Sequence, residues 1–305
     1  VFAGFSARRD VAFGAWRGSP ITSATDFQVA GSWSALVDSY RLISTWRGHH
    51  QGIKLSIAVP LWPGLGDDMQ AAAEGQFDAK FKAMASRLVG AGLGHSVLRL
   101  GWEFNGRWFA WGITRDRPAS VPPRTRAQLW AQRAREFARA WRHIVRAIRR
   151  VPGQHFTFDW CVAAGPHYRH VALAYPGDRY VDYIGDDVYD WNRHRYQSPA
   201  RRWHAIVHQP TGLAWQRRFA TAHHKPMSYP EWALVWSLFT PAQSGNDDPA
   251  FLRHMYRWFG HHNVAYENYF DYDVSLLLNS GLTTSNGRFV VAREVYRRLW
   301  RRLAR

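Results

Sequence analysis

Ser96–Gly112 reads SVLRLGWEFNGRWFAWG, and the arrangement of the whole chain follows from how this stretch folds. Val97, Leu98 and Leu100 make an apolar run of strand length, and Asn105-Gly106 supplies the turn signal that ends it. Side chains alternate along a strand, so the spacing predicts Leu98, Leu100 and Trp102 on one face and Arg99, Gly101 and Glu103 on the other. The carboxylate of Glu103 is therefore expected at the strand's carboxyl end, behind a small residue and a cation. Trp108, Phe109 and Trp111 follow within a few positions. Loops run over the surface, where aromatic area is costly, so these rings point to something flat held there. A single glutamate at a strand end also fits a solvated residue or an arginine partner, and the rings also fit a cap on the core. A second carboxylate of the same kind, far along the chain, decides between these readings.

Outward from this stretch, strands and helices alternate. Before it, KLSIAVPLWP (Lys54–Pro63) is a continuous apolar strand ended by prolines, and Phe77, Phe81, Met84, Leu88 and Ala91 recur at helical spacing. Trp33 to Trp46 has the same spacing, while Phe2–Ser6 and Phe13–Trp16, punctuated by glycines, read as an opening strand followed by a loop. After it, the helix that opens at Thr125 carries Trp130, Ala134, Phe137, Trp141, Ile144, Val145 and Ile148 on one face, with arginines largely off it, and Pro152-Gly153 stops it. His155–Gly165 and Tyr180–Asp190 read as strands, and Ala200–His223 as a helix of looser pattern. KPMSYPEWAL (Lys225–Leu234) reads as a strand ending on Glu231, Pro249–Phe259 as a helix, Val264–Tyr272 as a strand and Phe289–Arg305 as a closing helix. Roughly seven or eight such units predict an α/β fold, a (β/α)₈ TIM barrel, with residues 1–305 as one domain and no linker.

Lys and Arg outnumber Asp and Glu by 40 to 23, a formal charge of +17. Such a balance favours polyanions, but the arginines are spread through helices and also fit solvated outer faces. Cys161 is the only cysteine, so an intrachain disulfide is excluded while the redox compartment stays open. The sequence starts at Val1, which suggests a removed leader, and no apolar run reaches the roughly 18–20 residues that span a bilayer. The 17 Trp, 13 Tyr and 17 Phe suit sugar rings, stacked bases or a large core. The paired histidines at 49–50, 223–224 and 261–262 lack an HExxH or Cys-His framework, so no metal is expected. The glycine-rich pieces lack phosphate-loop spacing, and no serine sits in a G-x-S-x-G elbow. Asp67-Asp68, Asp186-Asp187 and Asp247-Asp248 fit surface calcium or, equally, helix capping or the polarity of a barrel mouth.

In a barrel of this kind chemistry gathers at the carboxyl ends of the strands, and the count places Glu103 after the fourth and Glu231 after the seventh. Two carboxylates across one mouth are what glycosidic hydrolysis needs, one protonated and one ionised, their pKa values held apart by burial and mutual repulsion. At these residues the chain resembles glycoside hydrolase family 26. WEFNGRWFAWG (102–112) is similar to that family's acid/base segment, KPMSYPEWA to its seventh strand, and DYIGDDVYD (182–190) to its sixth. The resemblance runs in the same order from about Lys54 onward.

The resemblance implies a retaining barrel hydrolase of the same clan with Glu103 as acid/base, Glu231 as nucleophile and Tyr189 bonded to the nucleophile. It also implies that Asn105, Trp108 and Trp111 line the sugar site. Strand alternation adds Asp187 beside Tyr189 and Tyr229 beside Glu231, with Trp232 as a ring platform, Trp102 in the mouth and Arg99 positioning Glu103. The chain departs from the family in having Gly101-Trp102 where a histidine usually precedes the acid/base, and in offering Tyr266, Tyr269 and Phe270 where the eighth strand usually offers a tryptophan. The expected protein is a secreted or periplasmic, monomeric endo-β-glycosidase without cofactor. Its partner is a polysaccharide or oligosaccharide, by family default β-mannan, with an acidic bacterial polysaccharide as competitor; neither nucleic acid nor a membrane span is expected. The rival reading is an inactive basic protein that binds glycan or nucleic acid.

Overall fold

The computed structural model describes residues 1–66, 68–115, 122–168, 170–191, 197–238, 240–274, 278–284 and 287–301. Seven parallel strands lie side by side in chain order: β1 (Ser23–Phe27), β2 (Lys54–Val59), β3 (Val97–Leu100), β4 (Thr157–Ala163), β5 (Tyr183–Tyr189), β6 (Met227–Ala233) and β7 (Val264–Tyr269). Parallel neighbours need crossovers, and these are helical. In order they are α1 (Ala7–Arg17), α2 (Trp33–Asp38), α3 (Tyr40–Trp46), α4 (Met69–Ala73), α5 (Asp78–Gly90), α6 (Pro123–Arg149), α7 (Pro199–His208), α8 (Leu213–Ala222), α9 (Pro249–His261) and α10 (Val290–Trp300).

The sheet closes through its first residues. Phe2 makes a parallel bridge to Phe270: its N–H donates to Tyr269 O (2.9 Å), and its carbonyl accepts from Asp271 N (2.8 Å). On the other side Thr25 N donates to Val1 O (2.9 Å), so this short segment is the eighth stave, between β7 and β1. Its ring is 1% exposed and meets Phe5, Phe27, Phe270 and Tyr272 with centroids 4.9–5.4 Å away. Counted from it, β3 is the fourth strand of the barrel and β6 the seventh. The structure therefore has the (β/α)₈ architecture expected from the cadence.

Three local expectations change. Phe13 and Trp16 belong to α1 rather than to a loop, with Phe13 turned into the core and the left-handed Gly18 (φ 85°) ending the helix. The stretch from Trp33 to Trp46 breaks at Ser39 (φ 51°), whose buried hydroxyl donates to Leu36 O and accepts from Gln28. The loose pattern over 200–223 resolves into α7 and α8, parted at Gly212, where a Cβ would lie 2.2 Å from Ile206 O.

The most consequential irregularity is in β6. From Ser228 to Trp232 it uses one residue more than the paired stretch of β5, Gly185 to Val188, and likewise one more between Tyr229 and Trp232 than β7 uses between Glu267 and Tyr269. The extra residue falls at Pro230-Glu231, and proline, having no N–H to give the ladder, is at home in a bulge. A bulge reverses the alternation beyond it.

Of the aspartate pairs, Asp247-Asp248 goes to helix capping. Asp248 caps α9, accepting from Ala250 N and Phe251 N, and Asp247 accepts from Val291 N and Ala292 N at the start of α10. Asp186 and Asp187 point to opposite faces of β5; Asp67 lies outside the described residues. Among the described residues no helix is long and apolar enough to cross a membrane, and exposed Arg124, Arg135, Arg139, Arg146 and Arg149 sit along α6. Because Phe2 closes the barrel with a fully buried ring, Phe2→Ala should lower unfolding stability by about 3–5 kcal/mol in a denaturant titration. A loss below about 1 kcal/mol would mean the eighth stave is dispensable.

Candidate active site

The site is built around a buried cation. Arg99 projects from β3 into the barrel with no exposed surface, and a guanidinium is buried only when paired. Its Nη1 donates to Asp187 Oδ1 on β5 (3.2 Å), and its Nη2 donates to Glu231 Oε1 on β6. Glu231 reaches this position because of the bulge, and its other oxygen accepts from the Tyr189 hydroxyl (2.7 Å). Below, at mid-barrel, Asp159 accepts from Ser228 (2.6 Å) and from Tyr266, which seals the interior with polar groups.

Glu103 enters from a different direction. The strand ends at Leu100, and Gly101 (φ 53°) and Glu103 (φ 52°) both take left-handed conformations, so alternation does not carry through to the acid. Glycine is required at 101, where a Cβ would meet Leu61 Cγ at 2.8 Å. A glutamate with positive φ is strained by about 1–2 kcal/mol and persists only where its surroundings fix it. Here Gly106 N donates to Glu103 O, Ile113 N to Phe104 O, and Trp111 Nε1 to Trp102 O (2.8–2.9 Å). Arg133 of α6 adds bonds to Ala110 O and Gly112 O, each 2.9 Å. The Glu103 side chain then accepts from Trp108 Nε1 at 2.5 Å.

One guanidinium faces three carboxyl groups, Glu103, Asp187 and Glu231, so the three cannot all be ionised at ordinary cost. Burial and then the charge of Glu231 push the Glu103 carboxyl up to about 8, against the pull of the Trp108 N–H and Arg99. Burial pushes Asp187 well above the carboxylate range, opposed by Arg99 and reinforced by Glu231 and Glu103. The arrangement thus provides a proton donor at Glu103 and an oriented oxygen pair at Glu231.

Of the residues the sequence singled out, the structure brings together Arg99, Glu103, Trp108, Asp187, Tyr189 and Glu231. Arg99 differs from expectation in its partner: it hydrogen-bonds Glu231 and Asp187, and acts on Glu103 only through its charge. Five others are turned elsewhere. Asn105 is fully buried, its Oδ1 accepting from Ala163 N and its Nδ2 donating to Ala163 O, both 2.8 Å, so it ties the loop to β4 and has no group left for a sugar. Trp102 and Trp111 are 6% and 3% exposed and pack with Phe109 as the loop's own core. The β6 bulge sends Tyr229 and Trp232 outward together. Tyr229 accepts from Trp258 Nε1 (2.6 Å), and Trp232, with no exposed surface, packs against Tyr269 and Trp300 and donates to Glu267 (2.6 Å). Of the three eighth-strand aromatics, Phe270 packs beside Tyr189 (6.1 Å), Tyr266 is at mid-barrel and Tyr269 faces outward.

Glu103, Trp108, Asp187 and Tyr189 line a cleft of about 460 Å³ together with His167 and Trp191. The sequence reading missed both of these. Trp191 stands two residues beyond Tyr189, and that adjacency to a strand end was the available signal. A cavity of similar volume opens among Lys54, Tyr256 and Trp300 at the amino ends of the strands, the face of a barrel that serves stability.

Residues 85–216 match the sequence profile of Glycosyl hydrolase family 26. No curated protein matches the sequence. Among solved structures, the catalytic domain of the family 26 endo-β-1,4-mannanase of Bacillus sp. JAMB-750 is similar at TM-score 0.63 and 15% identity, over 94% of this chain and 78% of that one. A modular endo-β-1,4-mannanase from Cellulomonas fimi gives 0.60 at 15% identity, over 98% of this chain and 74% of that one. The family 26 domain of a mannanase/glucanase from Prevotella bryantii gives 0.53 at 12%, over 98% and 86%.

Glu103 carries a stability prediction with a definite sign. Between the ordinary glutamate value of 4.5 and about 8 the unfolded chain has lost a proton that the folded one keeps, so folding weakens as pH rises through that window. The melting temperature of Glu103→Gln, measured from pH 5 to 8.5, should fall less than that of the wild type. Parallel curves would show that the carboxyl ionises freely in the fold.

Proposed function

We propose that this chain, whose residues 85–216 match glycosyl hydrolase family 26, is a glycoside hydrolase of that family that cleaves a β-1,4-mannan-type backbone internally, with retention of configuration at the anomeric carbon. The observation that carries this reading is the unequal treatment of the two glutamates: Glu103 is held protonated beside an oriented, doubly hydrogen-bonded Glu231. In the first step a Glu231 oxygen bonds to the anomeric carbon, the glycosidic bond breaks, and the departing oxygen takes the proton of Glu103. In the second, Glu103 accepts a proton from water, whose oxygen displaces Glu231 from the same carbon. Arg99 and Tyr189 fix the attacking oxygens so that the second lone pair faces the cleft, and Asp187 keeps Arg99 in place. Trp108 is 46% exposed and is the ring best placed to stack on a sugar while bonding the acid. The mannan assignment draws on the names of the similar structures. A polymer-degrading enzyme works where the polymer is, so we place the protein outside the cytoplasm.

The test is product release from β-1,4-mannan with the anomer of the first product followed by NMR. The β-anomer should appear first; initial α-anomer would defeat the double displacement, and no release at all would favour an inactive glycan binder. Glu103→Gln should lower kcat by about 10²–10⁴-fold, less for a substrate whose leaving group needs no proton.

The pH profile carries a further prediction. As a donor, Glu103 must be protonated, so activity should fall on the alkaline side with a midpoint near 8. Trp108→Phe removes a bond that favours the ionised acid and should move that limb upward. A limb that moves down or stays fixed would detach Glu103 from it.

A further inference from the structure

Trp108 stands between two cavities. One is the cleft over Glu103 and Asp187; the other, of about 690 Å³, shares Trp108, Pro166 and His167 with it. They differ in charge. Glu103 and Asp187 line the first, whose one described arginine, Arg202, is bonded to Asp190 and Asp248, whereas the described lining of the second holds Arg107, His167 and His170 and no carboxylate. Its wall is aromatic: Trp130 and Tyr168 meet edge to face at 6.5 Å, and the Arg126 guanidinium lies 5.9 Å from the Trp130 centroid. Tyr168 is 5% exposed, yet among the described residues its hydroxyl has no hydrogen-bond partner. A buried hydroxyl left unpaired beside a cavity is a group waiting for a ligand. Arg107 lies near enough to His167 to add to the lowering of its pKa that burial causes, so the cation acts beside a neutral imidazole.

A neutral hexose would meet these groups through hydrogen bonds alone, whereas a carboxylate would also meet the charge. We propose that the cavity beyond Trp108 is a subsite for a sugar bearing a carboxylate, a uronic acid of the glycan chain, with its ring against Trp108 and its carboxylate on Arg107. The inference rests on the hydrolase reading in taking the cavity to hold a sugar of the same chain that crosses the cleft. It narrows the substrate class from mannan-like to a partly acidic glycan. The sugar hydroxyls would then find Tyr168 and the histidines.

Two β-1,4-linked tetrasaccharides, mannotetraose and the tetramer of mannuronic acid, differ only in a hydroxymethyl or a carboxylate at C6. Calorimetric titration of the full chain at low salt should show the acidic one bound roughly five- to tenfold more tightly. That preference should largely vanish in about 0.5 M salt. Arg107→Gln should bring the two ligands to within about twofold of each other, while Arg139→Gln, the same loss of charge on the outer face of α6, should keep the preference. Equal affinities, a preference that survives Arg107→Gln or disappears equally in Arg139→Gln, or no binding of either ligand would overturn the inference. Mannan cleavage without the preference sinks this subsite alone, and the preference without any cleavage sinks the hydrolase mechanism alone.

Discussion

A single guanidinium in the middle of the barrel mouth sets the terms for everything around it. Arg99 has left water entirely, and it can do so only because Asp187 and Glu231 meet it from the two strands opposite. That need fixes the register of β3 against β5 and β6 at the level where chemistry takes place. It also limits the charge the site can hold. With one positive group and three acids in a dry volume, burial drives Glu103 and Asp187 toward their neutral forms, while Glu231 is hydrogen-bonded at both oxygens. Two glutamates of identical chemistry are thus held in unlike surroundings.

The backbone around this cation departs from regularity at two points, and each departure delivers one carboxyl group to the site. An extra residue at Pro230-Glu231 turns the Glu231 carboxyl inward while leaving Tyr229 and Trp232 on the outer face. A left-handed glutamate at the end of β3 swings the acid over the cleft. Strain at these points is held by side chains that take no part in the chemistry. Asn105 commits both ends of its amide to Ala163, and Arg133 grips the far end of the tryptophan loop. The aromatic surplus is divided accordingly. Trp102, Phe109 and Trp111 form a small core that stiffens the loop, and Trp108 alone among them presents most of a face to solvent and to ligand.

The distribution of charge separates the outside of the barrel from its mouth. Arg124, Arg135, Arg139, Arg146 and Arg149 of α6 lie exposed on its outer face and contribute to the net charge away from the mouth. At the mouth, paired acids and arginines share the half around Arg99, and beyond Trp108 the described lining is aromatic and holds Arg107, His167 and His170 without a carboxylate. A chain of sugars crossing that boundary meets two environments within a few residues.

The alternation of strand and helix, and the positions of Glu103 after the fourth strand and of Glu231 after the seventh, could be read from the residues, whereas the pairing of Tyr189 with Glu231 came only from the family resemblance. The former depend on short-range periodicity and on motifs whose spacing is local. Tyr229, Trp232 and Asn105 could not be read in this way. Whether a side chain on a strand faces the cleft or the helices is decided by register, and one inserted residue, visible only where β6 lies against β5 and β7, reverses it. Whether a polar side chain is free to bind a ligand depends on whether the backbone of a distant strand has already claimed it, as β4 claims Asn105. The order and kind of elements are thus written along the chain, because they need only neighbours. The direction of each side chain and its freedom to react arise only when strands far apart in sequence share one wall.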